Sequence, residues 1–220
     1  VRHIRADYEP DNLSGAMKVR EEGFYPVANG KHHDFVLALD VSHTGDALNS
    51  WGGETLLVLL RMQPHPRVLD VADIQMDRES GVWDKPAVLT GGSHDALVTF
   101  YSHLNAGEDY LVPGIVEIVG DKFVQSKADL PMAYSARNAT AELHESFSFV
   151  RSKKGAWPVI FRMKVEAKKV DEDTQKTLKS ESKTFSFGLV QKNGRWRCVG
   201  DAKPCKAMAR LQERFGFSDN

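Results

Sequence analysis

The stretch from Val159 to Ala167 constrains the fold most. Val159, Phe161, Met163, Val165 and Ala167 alternate with Arg162, Lys164 and Glu166. A helix presents every third or fourth residue to one side, whereas period two belongs to a strand with one dry and one wet face. A polar turn from Asp171 to Lys176 leads into a second alternating run, Phe185, Phe187 and Leu189 against Thr184 and Ser186. Asn193-Gly194 then closes a hairpin, because both residues tolerate positive φ. That turn sets a register in which Leu189 pairs with Cys198 and Gln191 with Trp196. Pro204 can open a helix at its first turn. Ala207, Met208, Leu211 and Phe215 give it an apolar stripe, and Gly216 ends it. This helix is expected to dock beside the last hairpin.

Upstream, Phe35 to Val41 reads as a strand. Glu54 to Met62, with the run Leu56 to Leu60, reads as a buried one. Pro64-His65-Pro66 turns the chain, and Arg67 to Met76 returns as the partner. The apolar phase changes there from Leu69 and Val71 to Ile74 and Met76, as a β-bulge would cause. Residues 77 to 94 read as a long loop. Asp95 to Leu104 and Leu111 to Val119 are strands. Gly120-Asp121 makes a hairpin to Lys122 to Gln125, with Ile118 facing Phe123. Asn12 to Glu22 reads as a short helix capped by Asn12 or Ser14. Gly23, Pro26, Asn29 and Gly30 then break the chain. The reading is one domain over 1–220: an N-terminal extension (1–33) packed on a β domain (34–203), with a C-terminal helix (204–216). The fold class is mainly β, an antiparallel meander forming a sandwich or barrel-like unit with one short C-terminal helix. A propeller-like arrangement is the alternative, for which Ser42-His43 and Ser102-His103 would be a faint repeat.

A chain of 220 residues buries roughly 70% of its unfolded surface without metal or staples. Its 29 basic and 30 acidic residues leave a net charge of −1, without the basic excess of a nucleic-acid binder, so nucleic acid is not expected as a partner. The longest apolar run, Leu56 to Leu60, is far short of the roughly 20 residues of a membrane helix, so an integral membrane protein is not expected. The Val1 start suggests a removed export signal. The two cysteines, Cys198 and Cys205, flank Gly200 and Pro204, a short ring that can close as a disulfide. A Cys198–Cys205 bond implies an oxidising compartment, periplasmic or extracellular. Two cysteines are too few for a structural zinc site.

No dinucleotide loop, Walker A sequence, nucleophile elbow or H-E-x-x-H motif is present, and no cofactor is expected. His144-Glu145 continues into Ser146-Phe147-Ser148 on a strand. Three groups remain as ligand-binding candidates. His43 and His103 would meet if the two Ser-His units lie side by side; otherwise they cap strand ends. Asp70, Asp73 and Asp77, with Glu79 and Asp84, carry carboxylates suited to a hard cation or to glycoside hydrolysis, or else they protect a sheet edge. Trp51 and Trp83, with Trp157, can stack on sugars or anchor a partner, or plug the end of a core. The functional expectation is an exported non-enzymatic binding or structural module, with a protein or carbohydrate as its partner. The alternative is a carbohydrate-active or metal-dependent hydrolase using the Asp/His cluster.

Overall fold

The computed structural model describes residues 2–4, 17–43, 54–76, 79–84, 86–91, 94–105, 108–151, 159–192, 195–199 and 203–217. The strands are β1 (Arg2–His3), β2 (Met17–Asn29), β3 (His32–His43), β4 (Glu54–Arg61), β5 (Arg67–Asp73), β6 (Glu79–Val82), β7 (Val88–Gly91) and β8 (His94–Asn105). They continue as β9 (Glu108–Val119), β10 (Lys122–Asp129), β11 (Ala133–Arg137), β12 (Ala141–Arg151), β13 (Val159–Val170), β14 (Thr177–Lys192) and β15 (Arg195–Val199). One helix, α1 (Lys203–Phe215), follows. The fold is mainly β, with a closed barrel and a sandwich-like half that share strands.

Seven strands close the barrel in the order β9, β10, β15, β14, β13, β12, β11 and back to β9. The alternation that opened the sequence reading holds on β13. Phe161, Met163, Val165 and Ala167 are buried, while Arg162, Lys164 and Lys168 are exposed. The interior is aromatic: Phe161 packs against Phe147, Phe149 and Phe187 with ring centroids 5.3 to 6.0 Å apart. Burying each such side chain stabilises the fold by about 1.5–3 kcal/mol. The expected registers are present, with Leu189 opposite Cys198 and Gln191 opposite Trp196. Leu211 and Phe215 of α1 join this interior cluster.

Two joints complete the ring: β10 runs parallel to β15, and β9 pairs with β11. Glu117 of β9 braces the first. Its buried carboxylate accepts bonds from Trp196 Nε1 at 2.9 Å, Gln191 Nε2 at 2.7 Å and the Ser126 hydroxyl, and lies 3.2 Å from His94 Nε2. Burial pushes this carboxyl up, but the bonds from Ser126, Trp196, His94 and Gln191 outweigh it and hold it below its ordinary value.

The second half is the sheet β5-β4-β3-β2, packed against β8, β9 and β10. Adjacent residues of the middle strands serve opposite cores. Ala96, Val98 and Ile115 face the barrel, while Leu97, Val116 and Ile118 face Val36, Leu57, Leu59 and Phe123. Phe123 sits opposite Ile118, as the Gly120-Asp121 turn implied. Polar bridges close one side of this half. Asp70 of β5 accepts the Phe123 backbone N–H of β10 at 2.8 Å. Buried Arg61 donates to both oxygens of Asp34, at 2.9 and 2.8 Å, and to Asp121 at 2.9 Å. The opposite side, between β2 and β6, is open.

Several expectations are corrected. Residues 17–22 are strand, not helix, because β2 pairs along its length with β3, and Asn29 and Gly30 belong to that hairpin's turn; residues 12–16 lie outside the described residues. Residues 17–33, expected in the extension, therefore supply one of the sheet's longest strands. The expected loop over 77–94 contains β6 and β7, which both pair with β8. The bulge between β4 and β5 sits at Leu69, earlier than the phase change suggested. Cys205, expected to pair with Cys198, is an exposed free thiol. It shares a helical stripe with Met208 and Gln212, which faces a crevice. The Cys198 side chain lies outside the described residues.

Candidate functional site

The open side of the second half is a cleft of about 470 Å³ between β2 and β6. β2 supplies Arg20, Glu21, Glu22 and Tyr25. β6 and the residues after it supply Glu79, Gly81, Trp83 and Asp84, and Phe100 of β8 forms part of the wall.

A bulge shapes the site. Glu21 pairs with Leu39 and Gly23 with Ala38, so Glu22 has no partner across the ladder. A bulge re-aims the side chain it carries, and Glu22 reaches towards β6. A Cβ added to Gly81 would stand 3.6 Å from Glu22 Oε2 and 3.0 Å from the Phe100 ring. Gly23 allows the Tyr25 ring to fold over the backbone, where a Cβ would overlap the phenol oxygen. Two glycines thus make room for two aromatic walls and one re-aimed carboxylate.

The electrostatics are one-sided. Glu21, Glu22, Glu79 and Asp84 line the cleft. Arg20 is the basic group among the described lining residues. It is shared: Nη2 lies 3.2 Å from Asp40 and 3.6 Å from Glu22. Burial raises the Glu22 carboxyl above its usual range, and the charges of Asp40 and Glu79 add to this against the pull of Arg20. Burial also raises the Tyr25 phenol, reinforced by Asp84 and Glu22. Like charges held together in this way favour a proton or another cation between them.

Of the candidates read from sequence, Trp83, Glu79 and Asp84 meet at the cleft, and Asp70, Asp73 and His103 lie elsewhere. Trp83 lies at the cleft, but its ring stacks on Phe147 at 4.3 Å and meets Phe100 edge-on at 5.6 Å, so it also plugs the barrel. Asp70 is tied to the Phe123 backbone as described. Asp73 is buried at the end of β5, where it accepts the Gln75 N–H at 2.8 Å. His103 of β8 faces Tyr110 of β9, with ring centroids 6.2 Å apart. The backbone of His43 pairs with Met17 on a different strand pair, and its side chain lies outside the described residues, as do Trp51, Asp77 and Trp157. Among the described residues, no group of three or more His, Cys, Asp or Glu side chains is placed to hold a metal ion. Sequence reasoning missed Glu22 and Tyr25, whereas Glu79 and Asp84 belong to the acidic group it singled out. The only signal was Glu21-Glu22-Gly23, which had been read as the end of a helix.

No protein-family model matches the chain, and no curated protein or solved structure is significantly similar to it.

Proposed function

We propose that the chain is a non-enzymatic binding protein whose ligand seat is the β2/β6 cleft, and that the ligand is a basic side chain of a protein partner. The observation behind this reading is Glu22, bulged into an aromatic-walled cleft and crowded by Asp40 and Glu79. A lysine or arginine side chain entering there replaces the repulsion with ion pairs, and its methylenes meet the aromatic wall that Tyr25 and Trp83 contribute. Calorimetry with a short lysine-containing peptide and its glutamate counterpart tests it. The lysine peptide is expected to bind the wild-type chain, and its binding is expected to weaken by roughly tenfold in Glu22→Gln. Equal binding of both peptides, or binding indifferent to Glu22→Gln, overturns the reading. The periplasmic or extracellular setting belongs to the same proposal and rests on the short Cys198–Cys205 spacing, which a disulfide can bridge once the chain meets an oxidising compartment. A cell fractionation that finds the chain in the cytosol overturns that part alone.

The raised carboxyl of Glu22 beside Glu79 supports a second reading, glycoside hydrolysis with Glu22 as the acid, since such enzymes pair two carboxyl groups with different proton affinities. Turnover of chromogenic glycosides, abolished by Glu22→Gln, would favour it over the first.

A further inference from the structure

A second cavity, of about 580 Å³, lies between α1 and the strands β9, β11 and β12, away from the β2/β6 cleft. Its polar end is built around Glu108. Tyr110 donates to one carboxylate oxygen at 2.7 Å and Tyr134 to the other at 2.8 Å. Each carboxylate oxygen has two lone pairs, so one phenol per oxygen leaves capacity for a further donor. The two phenol rings lie 5.1 Å apart. Glu145, buried, also lines the cavity, and it accepts the Tyr134 N–H at 3.1 Å and Gln212 Nε2 at 2.8 Å. The apolar end is Pro131, Met132, Met208 and Ala209, and none of the described lining residues is basic.

We infer that this crevice binds a small amphiphile with a cationic amine head, the head against Glu108 and the apolar body against Met132 and Met208. Two carboxylates with no basic residue in the lining repel an anionic head and attract an ammonium group. The tyrosine hydroxyls hold Glu108 in place without the ligand, so little ordering remains for binding to impose. Ring faces beside a carboxylate favour an ammonium group further. Thioether side chains adapt to bodies of varied shape, and a cavity of this size suits one small molecule. The inference stands independently of the β2/β6 cleft.

Cys205 lines the crevice as an exposed thiol, so its alkylation reports occupancy. The experiment treats the whole chain, kept reduced, with iodoacetamide and follows the Cys205 peptide by mass spectrometry. Phenylbutylamine, phenylbutyrate and phenylbutanol share one apolar body and differ in the head. At about ten times its Kd the amine is expected to slow alkylation roughly tenfold, as mass action requires. The carboxylate is expected to leave it unchanged. A bound cation alone would favour the reactive thiolate and speed the reaction, so slowing reports coverage of the thiol. Glu108→Gln is expected to weaken the amine roughly tenfold, while Glu22→Gln leaves it unaffected. No protection by the amine at millimolar concentration overturns the inference. Equal protection by phenylbutyrate does the same from the wild-type chain alone, whatever the variants do, and so does amine binding undiminished in Glu108→Gln.

Discussion

Glu22, the centre of the proposed seat, works against stability near neutral pH. Its side chain is 27% exposed and its carboxyl is raised above the ordinary 4.5. The folded state therefore holds the proton more tightly than the unfolded chain does. The contribution of this group is fully present below 4.5 and is lost as pH rises through the raised value. Glu22→Gln is accordingly expected to stabilise the protein near neutral pH by about 0.5 kcal/mol. Thermal unfolding of both proteins should show the gain vanish in acid. Buried Asp34 behaves oppositely. Burial pushes its carboxyl up, but the bonds from Arg61 and Asn29 and the Arg61 charge bring it below its ordinary value. It stabilises the fold above that ordinary value, and the contribution is lost as pH falls through the lowered one. Arg61→Leu strands this carboxylate and should cost about 3 kcal/mol in denaturant unfolding. Neither role was legible in the sequence. An Asp and an Arg 27 residues apart carry no sign that β3 and β4 will bring them together.

At the scale of elements, legibility followed how local the signal was. Two-residue turns set the registers Ile118–Phe123 and Leu189–Cys198, because a tight hairpin leaves little freedom in pairing. The Asn29-Gly30 dipeptide carried the same signal at the β2–β3 turn. It reads as a break because the exposed first part of β2 lacks alternation: Lys18, Val19, Arg20 and Glu21 are all exposed. Pairing with β3 overrides their helix propensity. The Glu22 bulge has no local signature at all. The helix α1 was legible from its stripe, and its docking carries a prediction. Phe215→Ala should cost about 3–5 kcal/mol by leaving a cavity beside the barrel interior, measured by the shift of the urea midpoint.

For the whole molecule, the barrel and the second half share β9 and β10, and β8 beside them adds successive residues to both cores. Neither half keeps its core without that wall. Unfolding is therefore expected as one transition, with Trp196 fluorescence and far-ultraviolet circular dichroism coinciding; two separated transitions would contradict the shared wall. The ring itself was beyond the sequence. Its joints pair β10 with β15 and β9 with β11, and such distant pairings leave no trace in local periodicity. The candidate site was half legible: Glu79, Trp83 and Asp84 stand close in sequence, but Glu22 comes from a strand nearly sixty residues away. The central claim is that Glu22 sits in a cleft built for a cation. The most direct test is carbon-13 NMR titration of the Glu22 carboxyl, free and with the lysine peptide. The account predicts a value above the ordinary 4.5 in the free protein that falls on adding the peptide. An ordinary value, unmoved by the peptide, would contradict it.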